Sequence, residues 1–128
     1  MELVNLTAHV VVVGDARRWW GRGVRLAPSG RVARVVRAEV GRSALEVGGR
    51  GSVECVGLGS AVSVVGVPES LPGVVWVVSR LVAEVLGPRS DVVFPWGVVR
   101  DRWGRVVGCE ALGSIVDSGG GFTAVGGV

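Results

Sequence analysis

Short apolar runs, rich in valine and separated by glycine and proline, dominate the pattern along this chain. In the first run, residues 3–13, apolar positions alternate with Asn5, Thr7 and His9. A period of two predicts a strand with these three polar side chains on one face. A turn is predicted at 28–30. Further strands are predicted over residues 24–27, 31–40, 44–47, 52–57 and 61–67 and over the continuous apolar run 74–78.

Helical spacing occurs in one segment, between residues 79 and 87. Ser79 is a typical N-cap, and Gly87 followed by Pro88 is a typical helix end. One predicted helical face is apolar and consists of Leu81, Val82, Val85 and Leu86, and the opposite face carries Arg80 and Glu84. The sequence therefore predicts one short helix near residues 79–87.

A short strand over residues 91–94, ending at Pro95, and a β-hairpin around residues 101–104 complete the predicted elements. The fold class expected is mainly β (α+β), as a small antiparallel sheet or barrel-like domain with one short helix. We expect a single β-rich domain over residues 1–112 and a Gly-rich flexible tail over 113–128, in which Gly119 to Gly121 form a linker rather than a phosphate loop.

Composition changes this picture in two ways. The chain has 128 residues, which is enough for one core without disulfides, and 32 of them are valine. All 14 basic residues are arginine, which fits either a GC-rich coding sequence or a thermophilic source. The net charge of +3 favours an anionic partner. Because no basic run of five residues exists, the charge pattern argues against nucleic acid as that partner.

Metal, cofactor and membrane classes find no support in the sequence. Cys55 and Cys109 are far apart, lie among apolar residues and are predicted to be buried free thiols. With one histidine in the chain, a zinc site is not expected, and no other cofactor motif is present. The N-terminus lacks a basic region before an apolar run, and the apolar runs are too short to cross a bilayer. We therefore expect a cytoplasmic protein without membrane contact.

Catalytic motifs are also absent, since the sequence has no GxSxG, P-loop or GxGxxG. His9 has three interpretations: a general base, a ligand to a phosphate or a nucleobase, or a hydrogen-bonded strand residue. No nucleophile motif or second base accompanies it. The sequence favours a protein that is not an enzyme and leaves the question open.

Several polar residues set in apolar segments are candidates for ligand binding. Arg89 and Asp91 suit a phosphate and a ribose hydroxyl, or else brace a loop as an ion pair. Ser79 donates to an anion or simply caps the helix. The full candidate set is Asn5, Thr7, His9, Arg34, Ser79, Arg89 and Asp91. Four tryptophans in predicted loops are candidates for an interface or for a platform on which a base stacks, namely Trp19, Trp20, Trp96 and Trp103.

Four segments together resemble a family of small uncharacterised proteins of bacteriophages, prophages and actinobacteria. They are Val4-Asn5-Leu6-Thr7-Ala8-His9, Pro28-Ser29-Gly30 with Ala33-Arg34-Val35, Val77-Val78-Ser79 with Leu81-Val82-Ala83, and Arg89-Ser90-Asp91 through Pro95 with Val99-Arg100-Asp101, Gly104 and Gly108. The resemblance covers about the first 112 residues, and Ala8 stands where the family usually has proline. It implies a phage-associated origin and no particular activity.

Phages encode small oligomeric β-rich proteins that sequester nucleotide immune signals, and this chain is similar to them in size and class. By that analogy the first hypothesis is a homo-oligomeric sponge, in the host cytoplasm, for a nucleotide-like anionic ligand. The second is a structural or interaction module of a phage particle or assembly. The third is a small nucleotide hydrolase that uses His9.

Overall fold

The computed structural model describes residues 1–14 and 23–117. These ranges contain eight strands and one helix. The elements are β1 (Glu2–Asn5), β2 (Val11–Val13), β3 (Val24–Leu26), β4 (Arg34–Glu46), β5 (Ser52–Val65), β6 (Val74–Val77), α1 (Arg80–Leu86), β7 (Val92–Arg100) and β8 (Val106–Gly113). Strand β8 ends one residue beyond the predicted domain, and most of the predicted tail, from residue 118, lies outside the described residues.

Six strands form one sheet in the order β1-β6-β7-β8-β2-β3, while β4 and β5 form a separate two-stranded ribbon. The sheet is mixed: β6 is parallel to both β1 and β7, and β2 is parallel to β8. Its two edge strands meet where Asn5 bridges Pro28 and the Ser29 N–H donates to the Asn5 carbonyl at 3.0 Å. The expected mainly β, barrel-like fold with one short helix is therefore confirmed.

The core lies on both faces of strand β6, because successive side chains of a strand point to opposite faces. Trp76 and Val78 join Leu6, Val82 and Phe94 in the larger cluster beneath the helix. Val77, which is fully buried, joins Val11 and Cys109 on the other face. The predicted buried strand at 74–78 is confirmed, and so is the burial of Cys109.

Helix α1 is confirmed in position and in both caps. The Ser79 Oγ accepts the Val82 N–H at 3.3 Å, and the Gly87 N–H donates to the Ala83 carbonyl at 3.0 Å. The predicted apolar face is confirmed for Val82, Val85 and Leu86, which are buried or partly buried, and was wrong for Leu81, which is 60% exposed. Buried Ala83 takes the place of Leu81 on the covered side. The helix contacts both β7 and the base of the ribbon, and this double contact determines which side is covered.

The single strand predicted over residues 3–13 was wrong. Strand β1 ends at Asn5, and β2 begins at Val11 and lies between β8 and β3. The intervening residues form a loop held by the Asn5 side chain, described below. Asn5, Thr7 and His9 therefore do not share one strand face, although apolar alternation continues through them.

The short strands predicted between residues 31 and 67 were wrong in number and length. Strands β4 and β5 have 13 and 14 residues and pair with each other from Arg34 opposite Val65 to Glu46 opposite Ser52. Glycines that favour breaks in an isolated strand lie inside this ribbon, as where Gly41 pairs with Gly57. Cross-strand hydrogen bonds outweigh the conformational cost of glycine there.

Strand β7 continues through Pro95, where a strand end had been predicted. Pro95 lies opposite Leu112 of β8, whereas β6 has already ended at Val77, opposite Val93. A strand with a neighbour on one side tolerates proline. As a consequence Trp96 lies within β7, and its prediction as a loop residue was wrong.

Candidate functional site

Asn5 is a buried polar side chain that holds the β1–β2 loop together. Its amide nitrogen donates to the His9 carbonyl at 2.8 Å and to the Leu26 carbonyl at 3.0 Å. Its amide oxygen accepts the Thr7 N–H at 2.9 Å and lies 2.7 Å from the Thr7 hydroxyl. Both N–H donors of this amide are used inside the protein, and its oxygen accepts at least the Thr7 N–H. Asn5 therefore positions the site and is not itself free to bind a ligand.

Thr7 and His9 lie on that loop, where it faces solvent. The Thr7 hydroxyl is within reach of both the Asn5 amide oxygen and, at 2.9 Å, the His9 carbonyl. It has one proton, so it donates to one of them at a time. Within the described residues the exposed imidazole of His9 makes no hydrogen bond. The side chain of His9 is therefore available to a ligand.

Ser79 lies at the same edge of the sheet as this loop. Strands β1 and β6 are parallel and end side by side, at Asn5 and Val77. Thr7 and Ser79 each lie two residues beyond these strand ends. Ligands of sheets with parallel strands and a crossover helix bind outside the carboxyl ends of the strands. We refer to this region, formed by Thr7, His9, Ser79 and the two residues described next, as the carboxyl edge.

Arg80 and Trp96 complete the carboxyl edge. The Arg80 guanidinium lies 5.1 Å from the centroid of the half-exposed Trp96 ring and also pairs with Glu84 at 2.9 Å. An exposed ion pair one helical turn apart holds a side chain weakly, so this guanidinium can turn toward an anion. Sequence reasoning assigned Arg80 to the polar face of the helix and missed it. Its position directly after a predicted buried strand was the available indication.

Arg34 lies near the same edge of the sheet. It follows Ala33, whose N–H donates to the Leu6 carbonyl at 2.9 Å, and it begins strand β4 with an exposed side chain. A depression of about 340 Å³ lies beside this segment and is lined by Arg31, Val32, Gly66, Val67 and Pro68. One charged side chain lines it, so it is a weaker candidate than the carboxyl edge.

Arg89 and Asp91 lie at the opposite edge, near the start of β7, and bind each other. Two guanidinium nitrogens of Arg89 meet the two carboxylate oxygens of Asp91 at 2.9 and 2.7 Å. The Ser70 hydroxyl donates a hydrogen bond to the Asp91 carboxylate at 2.7 Å, and Arg89 also donates to the Pro68 carbonyl at 3.3 Å. This cluster braces the 68–71 loop against the start of β7.

The charges in this cluster stabilise each other. The Arg89 guanidinium, helped by the Ser70 hydroxyl, holds the pKa of Asp91 below its usual range despite partial burial. The same hydrogen-bonded pair raises the pKa of Arg89. Both side chains are therefore charged at neutral pH and directed at each other, and they are separated from the carboxyl edge by the length of β6.

The predicted interface tryptophans are in different situations. Trp103 is 65% exposed in the β7–β8 turn, with the Arg102 and Arg105 guanidinium groups 4.4 and 5.0 Å from its ring centroid. Trp19 and Trp20 lie in residues 15–22, outside the described residues. Cys55, predicted to be buried, is only half-buried because it lies on the ribbon, where no core covers it.

The described part of the chain contains no cluster of three side chains able to hold a metal ion. No helix within residues 1–14 and 23–117 is long and apolar enough to cross a membrane. Comparison with protein-family models, curated proteins and solved structures finds no match to this chain.

Proposed function

We propose that this protein is a phage-associated, homo-oligomeric binding protein that captures a small nucleotide-like anion at the carboxyl edge without turning it over. The observation that supports the proposal is that residues with hydroxyl, imidazole and guanidinium groups follow neighbouring parallel strands at one edge of the sheet, where the Arg80 guanidinium lies 5.1 Å from the half-exposed Trp96 ring. Hydroxyl and guanidinium groups bind phosphate oxygens, and an exposed indole stacks on a nucleobase. The excess of arginine over acidic residues favours an anionic ligand.

Binding rather than hydrolysis is supported by the surroundings of His9. A histidine that acts as general base is oriented by a hydrogen bond to a second group and lies beside a nucleophile or an ordered water. In residues 1–14 and 23–117, no carboxylate holds the His9 ring, and the adjacent Thr7 hydroxyl is engaged with Asn5 and the loop backbone. These features favour a role for the His9 imidazole in contacting a ligand, and they argue against a role in proton transfer.

A structural or interaction module is the second candidate function, and one observation favours it. The β4–β5 ribbon extends from the domain with valine and leucine side chains exposed along its length. Exposed apolar surface of this extent marks a protein contact. The two candidates are compatible if contact between copies and ligand capture use different surfaces.

The first experiment is a thermal-shift screen against cyclic dinucleotides, cyclic ADP-ribose isomers and NAD-related nucleotides. A ligand present at 100 times its dissociation constant stabilises the folded state by about 2.7 kcal/mol, which a melting curve resolves. We expect at least one ligand to raise the melting temperature. A flat panel would contradict ligand capture and leave the interaction module as the function.

Variants of two arginine–tryptophan pairs locate the binding site of a ligand from that screen. Arg80→Gln with Trp96→Leu removes the pair at the carboxyl edge, and we expect affinity to fall at least about tenfold, as for one lost charge-assisted contact. Arg102→Gln with Trp103→Leu removes a similar exposed pair in the β7–β8 turn and changes net charge equally. Equal losses in both variants would show that the ligand responds only to overall charge.

A further inference from the structure

The β7–β8 hairpin extends beyond the rest of the sheet on its β6 side. Strand β6 ends at Val77, opposite Val93, whereas β7 continues to Arg100. At about 3.3 Å per residue, the part of β7 beyond β6 is roughly 20 Å long. The turn that follows is therefore the outermost part of this side of the sheet. We refer to residues 100–105 as the hairpin tip.

Asp101 holds the hairpin tip in one conformation. Its carboxylate accepts the Trp103 N–H at 2.9 Å and the Arg105 N–H at 3.0 Å, and it pairs with the Arg105 guanidinium at 2.9 Å. The Gly104 N–H donates to the Asp101 carbonyl at 3.0 Å, at a φ of +82° that favours glycine. Because the tip is already ordered, a partner that binds it loses little affinity to ordering of the backbone.

The hairpin tip presents an indole ring together with positive charge. Trp103 is 65% exposed, and the guanidinium groups of Arg102 and Arg105 lie 4.4 and 5.0 Å from its ring centroid. Arg105 is paired with Asp101, whereas Arg102 has no carboxylate partner within residues 1–14 and 23–117. The tip contains three arginines and one acidic residue, so its charge complements an anionic partner.

An aliphatic surface adjoins the tip. Val98 is 61% exposed, Val106 59% and Val107 43%, and all three line one side of the hairpin along a shared apolar groove. Val106 is the first residue of β8 and lies directly opposite Arg100. The exposed apolar surface therefore begins directly beside the charged turn.

This combination fits the surface of a lipid bilayer better than a nucleic acid. Tryptophan and arginine are typical of the headgroup region, and aliphatic side chains beside them enter the boundary of the acyl chains, about 5–10 Å deep. A nucleobase stacked on Trp103 would compete with the guanidinium groups that lie against the ring, and it would leave the valines in water. Small ligands bind in concave sites, whereas this tip is the end of a projecting hairpin.

We propose that the hairpin tip binds the surface of a membrane that contains anionic lipids. Arg102 and Arg105 contact lipid phosphates, Trp103 lies at the level of the headgroups, and Val106 enters beside it. Such a contact needs no spanning segment, and the cytoplasmic leaflet carries the required negative charge. It goes beyond the proposed function, and it departs from the expectation from sequence that this protein has no membrane contact.

Sedimentation of the full chain with lipid vesicles tests this proposal. We expect the wild type to bind vesicles of phosphatidylcholine with about 30% phosphatidylglycerol, and to bind pure phosphatidylcholine much less, because the arginines need anionic lipid. Raising the salt from about 0.1 to about 1 M shortens the screening length from about 10 to about 3 Å and should weaken the binding. A wild-type chain that stays in the supernatant with anionic vesicles would overturn the inference.

Matched substitutions at two hairpin turns show whether the charge acts at the tip. An arginine near an anionic surface contributes about 1 kcal/mol, so Arg102→Gln should weaken vesicle binding about fivefold. Arg50→Gln removes one exposed arginine from the β4–β5 turn and should leave vesicle binding unchanged. Equal losses in the two variants would show that the vesicles respond only to net charge, and they would overturn the inference.

A second matched pair tests the indole without changing the charge. Trp103→Leu should weaken vesicle binding several-fold, whereas Trp96→Leu, at a ring that is 49% exposed, should not. Thermal unfolding followed by circular dichroism checks that both variants are folded. A larger loss in Trp96→Leu than in Trp103→Leu would place the contact elsewhere and overturn the assignment to the hairpin tip.

Two further readouts locate the contact on folded protein. Brominated phosphatidylcholine in the anionic vesicles should quench part of the tryptophan fluorescence of the wild type, and Trp103→Leu should lose that part. Amide hydrogen exchange of residues 100–106 in the wild type should slow when vesicles are added, while exchange in β6 stays constant. Protection of other segments, with none at the tip, would contradict the proposal.

A single-stranded oligothymidylate distinguishes the other anionic partner. Binding of this DNA that depends on Arg102 and Trp103, without binding to vesicles, would overturn the lipid assignment and identify the tip as a nucleic-acid contact. Nucleotide capture is measured separately, with Arg80→Gln and Trp96→Leu at the carboxyl edge. Failure of the membrane contact therefore leaves the proposed function standing, and failure of nucleotide capture leaves the membrane contact standing.

Discussion

Replacing Asn5 should destabilise the whole sheet, because this one side chain joins three parts of the chain. The side chain holds the Thr7–His9 loop and the Leu26 carbonyl at the end of β3. The backbone carbonyl of Asn5 separately accepts the Ser29 N–H where the two sheet edges meet, and substitution of the side chain leaves that bond in place. Asn5 is 2% exposed, so water does not compete for these bonds in the native state. The amide therefore adds the bond to Leu26 to the backbone contacts that join β1 and the end of β3.

The magnitude follows from the bonds lost. Each hydrogen bond contributes about 1 kcal/mol net, and a buried partner left unsatisfied costs about 1–3 kcal/mol. Asn5→Ala removes four contacts, and the exposed loop lets water replace some of them. We expect the free energy of unfolding to fall by about 3 kcal/mol. Thr7→Val, which removes only the hydroxyl contacts, should cost about 1 kcal/mol.

Asn5→Asp tests the electrostatic part of the same reasoning. The carboxylate keeps the shape of the amide, but it faces the His9 and Leu26 carbonyls and loses both donated bonds. Burial and these oxygens should raise the pKa of the introduced carboxyl above its ordinary value of about 3.9. Stability of this variant is then best below that value and is lost as pH rises through the raised folded-state pKa.

Urea unfolding followed by circular dichroism, at one fixed protein concentration, measures these changes. An ordinary surface substitution changes the free energy of unfolding by about 0.5 kcal/mol or less. The reasoning would be refuted if Asn5→Ala changed it by no more than that. It would also be refuted if Asn5→Asp lost the same stability at acid and neutral pH.

Two further predictions concern stability away from the carboxyl edge. Asp91 has a folded-state pKa below its ordinary 3.8, so its ion pair with Arg89 stabilises the fold above that value, and this stabilisation is lost as pH falls through the lowered pKa. The free energy of unfolding of Asp91→Asn should be about 1 kcal/mol below that of the wild type at pH 7, and the difference should shrink in acid. Gly66 has φ +89°, and a Cβ there would lie 2.6 Å from the Val32 carbonyl oxygen, whereas Gly30 has φ +96° with nothing within 4 Å. Gly66→Ala should therefore cost more than Gly30→Ala, about 3 against about 1 kcal/mol by thermal unfolding, and equal costs would contradict the steric reason.

The parts of the fold predicted correctly from the sequence are those fixed by local chemistry. Ser79 and Gly87 end the helix through hydrogen bonds to residues three or four positions away, and the apolar run at 74–78 has no alternative to burial. The hairpin around residues 101–104 is equally local, with Asp101 accepting the Trp103 N–H at 2.9 Å. Such contacts depend on neighbouring residues alone.

The errors arose where distant residues decide the structure. Period-two alternation continues through Asn5, Thr7 and His9, but the Leu6 N–H bonds to Val77 and the Asn5 amide bonds to Leu26, and these contacts end the strand. The glycines of β4 and β5 lie in a ribbon because each strand supplies the other's hydrogen bonds. Neither partner can be identified from local periodicity.

The candidate site divides in the same way. Thr7, His9 and Ser79 were predicted as ligand residues and lie at one edge, because β1 and β6 are parallel neighbours. Arg89 and Asp91 were predicted with them on polarity alone and lie at the other edge, bound to each other. A polar residue in an apolar segment is a good candidate for a structural or functional role. The sequence pattern does not distinguish a residue that binds a ligand from one that forms an internal hydrogen bond or ion pair.

The central claim, capture without turnover at the carboxyl edge, is tested most directly by equilibrium dialysis with a nucleotide from the panel, followed by release and chromatography. We predict that the wild type retains the nucleotide, that Arg80→Gln with Trp96→Leu retains less, and that the released nucleotide is chemically unchanged. A released product that differs from the nucleotide supplied would contradict simple capture and identify an enzyme. Equal retention by that double variant and the wild type would contradict the carboxyl edge as the binding site.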